Sequence, residues 1–170
     1  MKTQTSSLEL SHFPVMLSEI VKISNPAKGG FFIDCTFGGG NYTKALLKFS
    51  KTEVVSFDRD SSVISIAKKL EQKFKKRFKF YNLKFSQIDK ISKNLVDLIV
   101  FDLGLSSIQL KNLKRGFSFK SKSKLDMMMG LSDVSLQKII NNFEESKLRL
   151  IIKILGEEKE ASIIAKNIVK

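Results

Sequence analysis

Three consecutive glycines, Gly38-Gly39-Gly40, close an apolar run that passes through a carboxylate: Phe31-Phe32-Ile33-Asp34-Cys35-Thr36-Phe37. A strand that stops at an acidic residue and turns through glycine lets a ligand lie directly against backbone at the strand's carboxyl end. A helix predicted over 41–49 opens right after the glycines and points its N-terminus at the same place. The next apolar run, Val54-Val55-Ser56-Phe57, ends in Asp58, 18 residues after Gly40. An acidic side chain about 20 residues past such a turn reaches the ribose hydroxyls of a bound nucleoside. Together these features predict a ligand that contains adenosine.

The rest of the pattern sets the fold class. Pro14 to Ile23 has helical spacing, with Val15, Leu17, Ile20 and Val21 apolar and Pro14 suited to a first turn. Asn25 to Gly30 reads as a turn, Glu53 to Phe57 as strand two and Phe78 to Leu83 as strand three. Between them Ser61 or Ser62 caps a helix that turns Val63, Ile64, Ile66, Ala67 and Leu70 inward. Leu95 to Phe101 is a nearly continuous apolar run ending in Asp102, as expected of a strand buried on both faces. Strands alternating with helices predict βαβ units and a parallel, doubly wound α/β sheet. The pattern then changes to a basic, loop-like stretch, 111–130, and to helical periodicity from Ser132 to Lys170.

Composition narrows the setting. A chain of 170 residues suffices for one sizeable core, and no apolar run is long enough to span a membrane. The first residues lack the apolar core of a signal peptide, which predicts a cytoplasmic location. One cysteine, Cys35, and one histidine, His12, leave no intrachain disulfide and no Cys/His zinc site to expect, so no metal is predicted. His12 and Met127-Met128-Met129 read as packing residues. The net charge of +13 suits a polyanionic partner. Lysine greatly outnumbers arginine, however, so an AT-rich compositional bias explains the same charge, and both readings stand.

The ligand class follows from the acidic lead-in. Dinucleotide-binding turns run from an apolar strand straight into G-x-G-x-x-G, whereas here Asp34 comes first and Thr43 holds the third glycine's place. A carboxylate there neutralises a cationic or amino-bearing ligand. S-adenosylmethionine, with its sulfonium and amino group, fits better than NAD. Asp102, at the end of the fourth strand, faces the methyl donor and accepts a hydrogen bond from a target amine, or else caps the next turn. The Arg115-Gly116-Phe117-Ser118-Phe119 segment, flanked by Lys111, Lys114, Lys120, Lys122 and Lys124, interleaves cations with aromatics as an RNA contact would. A solvated loop with core-plugging phenylalanines has the same sequence appearance.

These blocks resemble those of a known family. His12-Phe13-Pro14-Val15-Met16-Leu17, the turn from Asp34 to Gly40, Asp58-Arg59-Asp60 and Asp102-Leu103-Gly104-Leu105-Ser106-Ser107-Ile108-Gln109-Leu110 are similar to those of the bacterial 16S ribosomal RNA cytosine-N4 methyltransferases (RsmH/MraW). So are Arg115 to Phe119, Leu125-Asp126-Met127 and Gly156-Glu157-Glu158, all in the family's order. The resemblance implies a Rossmann-like methyltransferase that uses S-adenosylmethionine to methylate the N4 amine of a cytidine in 16S rRNA of the small ribosomal subunit. It implies donor contacts at Gly40, Asn41, Tyr42, Asp58, Phe85, Asp102 and Gln109. Asp58 would hold the ribose, Phe85 would border the adenine, and Asp102, the catalytic candidate, would line the reaction centre with Gln109.

The chain departs from the family at Asn41-Tyr42-Thr43, where Gly-His-Ser is usual, and at Met128, where arginine is usual. Family members are longer and return from a helical insertion to complete the sheet. The resemblance therefore covers an N-terminal portion: a partial methyltransferase domain over 1–110, then a basic loop and partial helical substrate-recognition insertion over 111–170. An incomplete sheet predicts self-association through the open edge of strand four. A catalytically inactive, truncated RNA-binding remnant of such an enzyme is the alternative function.

Overall fold

The computed structural model describes residues 14–90, 95–131 and 134–170. His12, Phe13 and Ser132 lie outside the described residues. Two compact units divide the chain, Met1–Ile108 and Gln109–Lys170.

The first unit is built on four strands, β1 (Gly30–Asp34), β2 (Thr52–Phe57), β3 (Phe78–Tyr81) and β4 (Leu98–Val100), in the order β3-β2-β1-β4. Every pairing is parallel. Parallel neighbours need crossover connections, and the helices α1 (Leu17–Ser24), α2 (Asn41–Leu46) and α3 (Ile64–Phe74) accompany the sheet, with α2 between β1 and β2 and α3 between β2 and β3. This is the expected α/β class, a Rossmann-like parallel sheet.

Strand alternation sorts the side chains onto two faces. Phe32, Val54 and Phe78 are register partners and join Leu46, Leu47, Val63, Ala67 and Leu70 in one core. Ile33 and Phe57 belong to the core of the other face, with Cys35. Phe37 closes the first core against Phe80, ring centroids 5.1 Å apart.

Several boundaries differ from expectation for identifiable reasons. Met16 and Asn25 both take left-handed backbone, which delimits α1 to Leu17–Ser24 rather than to a start at Pro14. The helix after the glycines ends at Leu46, not Phe49, because its terminal carbonyls find partners elsewhere. The Thr52 hydroxyl lies 2.8 Å from the carbonyl oxygens of both Leu46 and Phe49, and the Arg77 guanidinium donates to the Phe49 carbonyl at 2.9 Å. Asp60, not Ser61 or Ser62, caps the turn into α3 by accepting the Ser62 N–H. Strand four spans three residues and is not buried on both faces. Ile99 is 43% exposed and Phe101 49% exposed, since β4 has only β1 beside it among the described strands.

The second unit opens with α4 (Ser107–Lys111), through which the boundary between the units runs, and a 3-10 turn at Leu113–Arg115. It continues through turns to α5 (Leu136–Asn142), α6 (Glu145–Leu155) and α7 (Ala161–Val169). Leu148 of α6 is buried, as are Ala161 and Ala165 of α7, small residues that allow helices to approach closely. Met127 is exposed with positive φ, so the expectation that the three methionines are packing residues fails there. Among the described residues no helix is long and apolar enough to cross a membrane.

Candidate functional site

The carboxyl ends of β1, β2 and β4 converge on the glycine turn. From β1 the chain is held on both sides: the Cys35 N–H donates to the Val100 carbonyl at 2.9 Å, and the Phe37 N–H to the Phe57 carbonyl at 3.0 Å. The turn is therefore suspended between its two neighbouring strands. Gly38 (φ 49°) and Gly40 (φ 72°) are both left-handed, a conformation costly for residues with a Cβ. A Cβ at Gly40 would lie 2.8 Å from the buried Phe37 ring, whereas one at Gly38 or Gly39 would meet nothing closer than 3.8 Å. Gly40 faces the core, whereas Gly38 and Gly39 leave room for a Cβ without a clash.

Asp34 is buried beneath this turn. Its Oδ1 accepts the Thr36 N–H at 3.2 Å and its Oδ2 accepts the Thr43 hydroxyl at 2.7 Å. The Thr43 and Ser56 hydroxyls are a further 2.7 Å pair. The expectation that Asp34 neutralises the ligand's positive charge is thus corrected: the carboxylate has no exposed surface and organises the turn from below. Burial pushes its pKa up to about 6, with the Thr43 and Thr36 hydrogen bonds opposing and the Asp58 charge adding to the rise.

A carboxyl group whose folded pKa is raised contributes stability that is fully present below its unfolded value of 3.8 and is lost as pH rises through about 6. Across that window the effect is on the order of 3 kcal/mol. Asp34→Asn removes the titration. Urea denaturation should therefore show the variant gaining on the parent by about 2–3 kcal/mol between pH 4 and 7. Parallel pH profiles for the two proteins would contradict this placement of Asp34.

Asp58, just beyond β2, holds the upper side of the turn. Its Oδ2 accepts the Gly38 N–H at 2.8 Å and its Oδ1 the Asp60 N–H at 2.9 Å, while its own carbonyl accepts from Asn82 at 2.7 Å. Two backbone donors lock the carboxylate's orientation, and each oxygen keeps acceptor capacity for another donor. Burial raises its pKa, against the lowering effect of those two bonds.

Asp102 follows β4 by two residues and is exposed. Its N–H donates to the Thr36 hydroxyl at 2.7 Å, which ties it to the β1 turn. The Tyr42 hydroxyl lies 3.4 Å from its Oδ2 but only 2.5 Å from the Val15 carbonyl. A phenol has one hydrogen to donate, and the shorter contact takes it. Tyr42 is buried and its pKa is pushed up to about 12, by desolvation first and then by the Asp102 charge. Tyr42 thus ties the segment ahead of α1 to the site and packs beside Asp102.

Phe85, 40% exposed, meets Phe101 edge to face at a centroid distance of 5.4 Å. Phe101 was not singled out from the sequence. Its signal was its position, an aromatic at a strand end immediately before the candidate catalytic carboxylate.

The structure therefore brings Gly40, Tyr42, Asp58, Phe85 and Asp102 to the strand ends of one unit, with Asn41 as the first residue of α2. Gln109 is buried on α4 and falls in the second unit. Among the described residues no cluster of His, Cys, Asp and Glu is arranged to hold a metal ion.

Residues 9–170 match the model of the MraW methylase family. A relative from Rickettsia akari, named ribosomal RNA small subunit methyltransferase H, is 42% identical over 161 residues, covering 94% of this chain and 53% of the relative. Another of that name, from Chelativorans sp., is 40% identical over 159 residues, covering 94% of this chain and 47% of the relative. A third, from Zymomonas mobilis, is 37% identical over 162 residues, covering 93% of this chain and 49% of the relative. The chain spans about half the length of the curated relatives it matches.

Proposed function

The chain belongs to the MraW methylase family, and on that premise we propose that its strand-end site binds S-adenosylmethionine for methylation of the N4 amine of a cytidine in 16S rRNA of the small ribosomal subunit, in the cytoplasm. One observation carries this reading. An open glycine turn, an oriented carboxylate (Asp58) and an exposed carboxylate (Asp102) gather at the carboxyl edge of one parallel sheet, where α/β sheets bind ligands.

The residues present suit the donor. Backbone at Gly38 and Gly39 has room for close approach, since a Cβ at either position would meet no neighbour closer than 3.8 Å. Asp58 supplies fixed acceptors for the ribose hydroxyls, and the exposed ring of Phe85 supplies an apolar wall for the adenine. We assign a second wall to Phe101. Gly40, Asn41 and Tyr42 belong to the donor side by family resemblance, Tyr42 through packing rather than through a free hydroxyl. When bound, S-adenosylmethionine supplies a methyl group carried on a positively charged sulfur.

The chain's own contribution to reaction is orientation and charge. A cytosine amine is a poor nucleophile because its lone pair is delocalised into the ring. A carboxylate that accepts its N–H hydrogen bond holds the nitrogen in line and stabilises the positive charge that develops there. Asp102 has the required exposure, and its backbone is fixed by Thr36. The second unit, with its basic loop, serves substrate recognition.

Transfer of labelled methyl groups from S-adenosylmethionine to small subunits lacking the modification tests the reaction, and its absence with the complete protein would contradict it. Phe101→Ala tests the adenine wall. The loss of one aromatic contact should weaken donor binding about tenfold and leave the melting temperature nearly unchanged, because the ring is half exposed. Unaltered affinity in calorimetry would remove Phe101 from the site.

A further inference from the structure

An aromatic ring held out in water by an ordered turn is the feature of the second unit that the donor site does not use. Phe119 is fully exposed, which forgoes about 2 kcal/mol of burial. The loop around it is nevertheless tightly built. The Ser118 carbonyl accepts the Ser121 N–H at 2.8 Å, so Phe119 and Lys120 form the corner of a β-turn. The Ser118 hydroxyl accepts the Lys120 N–H at 3.2 Å. The Ser121 hydroxyl donates to the Leu113 carbonyl at 2.6 Å and accepts the Ser123 N–H at 3.1 Å, stapling the turn to the start of the loop. Gly116 (φ 75°) sits where a Cβ would come within 3.0 Å of the Lys124 carbonyl, so the returning strand of the loop passes close by. Phe117, by contrast, is half-buried under the Arg115 guanidinium, 5.5 Å from its ring centre, and Arg115 is itself bonded to the Met128 carbonyl.

The chain segment that carries Phe119 has one sign of charge. Lys111, Lys114, Lys120, Lys122 and Lys124 are exposed, and no Asp or Glu occurs from 111 to 125. A compositional drift toward lysine explains many cations, but not the exclusion of acids together with a ring fixed at a turn corner. An exposed aromatic in a segment whose only charges are cationic matches a base stacked between phosphates.

We propose that Phe119 is a stacking platform for an unpaired base of single-stranded RNA, with the lysines of its segment holding the adjacent phosphates. This rests on the reading of the chain as an rRNA methyltransferase and assigns the substrate contact to a particular side chain.

Fluorescence anisotropy with a labelled single-stranded pyrimidine-rich oligoribonucleotide tests it on the full chain. Phe119→Ala should weaken binding about tenfold, Phe119→Trp should retain it, and an abasic oligonucleotide of equal length should bind parent and Phe119→Ala alike. Lys120→Glu with Lys122→Glu should weaken both probes and flatten the salt dependence. Calorimetry with S-adenosylmethionine should give the same affinity for parent and Phe119→Ala. Equal oligonucleotide binding by parent and Phe119→Ala overturns the stacking assignment while leaving the donor site intact. A loss seen on whole subunits but not on naked RNA also overturns it, in favour of a protein partner. A parent protein that binds neither RNA nor S-adenosylmethionine overturns this proposal and the methyltransferase reading together.

Discussion

Replacing Gly40 with alanine is expected to lower the unfolding free energy by about 2–4 kcal/mol, the sum of a left-handed backbone penalty and an overpacking penalty. The backbone at Gly40 has φ 72°, and a Cβ there would stand 2.8 Å from two atoms of the Phe37 ring and 3.3 Å from Leu70. Phe37 cannot move aside cheaply: its ring packs against those of Phe78 and Phe80 and is almost fully buried. Gly38→Ala is the matched comparison. It shares a positive φ of 49° but has no neighbour closer than 3.9 Å, so it should lose only the backbone penalty of about 1–2 kcal/mol. Chemical denaturation of the two variants measures the difference directly. Equal destabilisation would mean that Gly40 does not contact the core as described.

Methyl transfer depends most strongly on Asp102. Asp102→Ala should reduce methyl transfer to the small subunit by at least about 10²-fold in kcat/KM, the scale seen when a single charge-stabilising group is removed from a reaction centre. Fold stability should hardly change. The side chain is exposed, and among the described residues its hydrogen-bond contact is the long 3.4 Å approach of Tyr42, whose hydroxyl bonds primarily to Val15. The hydrogen bond that places the residue, from its N–H to Thr36, is made by backbone and survives the substitution. Asp102→Asn keeps the shape and an acceptor oxygen but not the charge, so it should fall between parent and alanine. Labelled-methyl transfer under single-turnover conditions separates this from donor binding. Parental rates in Asp102→Ala would exclude the carboxylate from the reaction.

The order of strands and helices was legible because each strand announces itself by apolar residues at both faces and a polar stop. Phe31 to Asp34 and Val54 to Asp58 needed no tertiary information to be placed. The role of Asp34 was not legible. A strand-end carboxylate beside a glycine turn looks the same in sequence whether it faces ligand or core, and only the Thr36, Thr43 and Ser56 groups packed around it decide the matter. Helix and strand ends are not legible where distant side chains set them, as Thr52 and Arg77 do for α2. The Phe85–Phe101 pair joins residues on different elements, and no periodicity in one segment foretells it. In the second unit the cation–aromatic pattern was visible, but which phenylalanine packs and which is presented was not. The fold answers by placing Phe117 under Arg115 and Phe119 at a turn corner.

Binding of S-adenosylmethionine, measured by calorimetry on the parent protein and on Asp58→Ala, decides whether the strand-end site holds the methyl donor. The parent is expected to bind one equivalent. Asp58→Ala is expected to bind about 10–100-fold more weakly, because it loses charge-assisted hydrogen bonds to the ribose as well as the hold on the Gly38 N–H. Equal affinity in the two folded proteins, or no binding by the parent, would contradict the assignment of this strand-end site to the methyl donor.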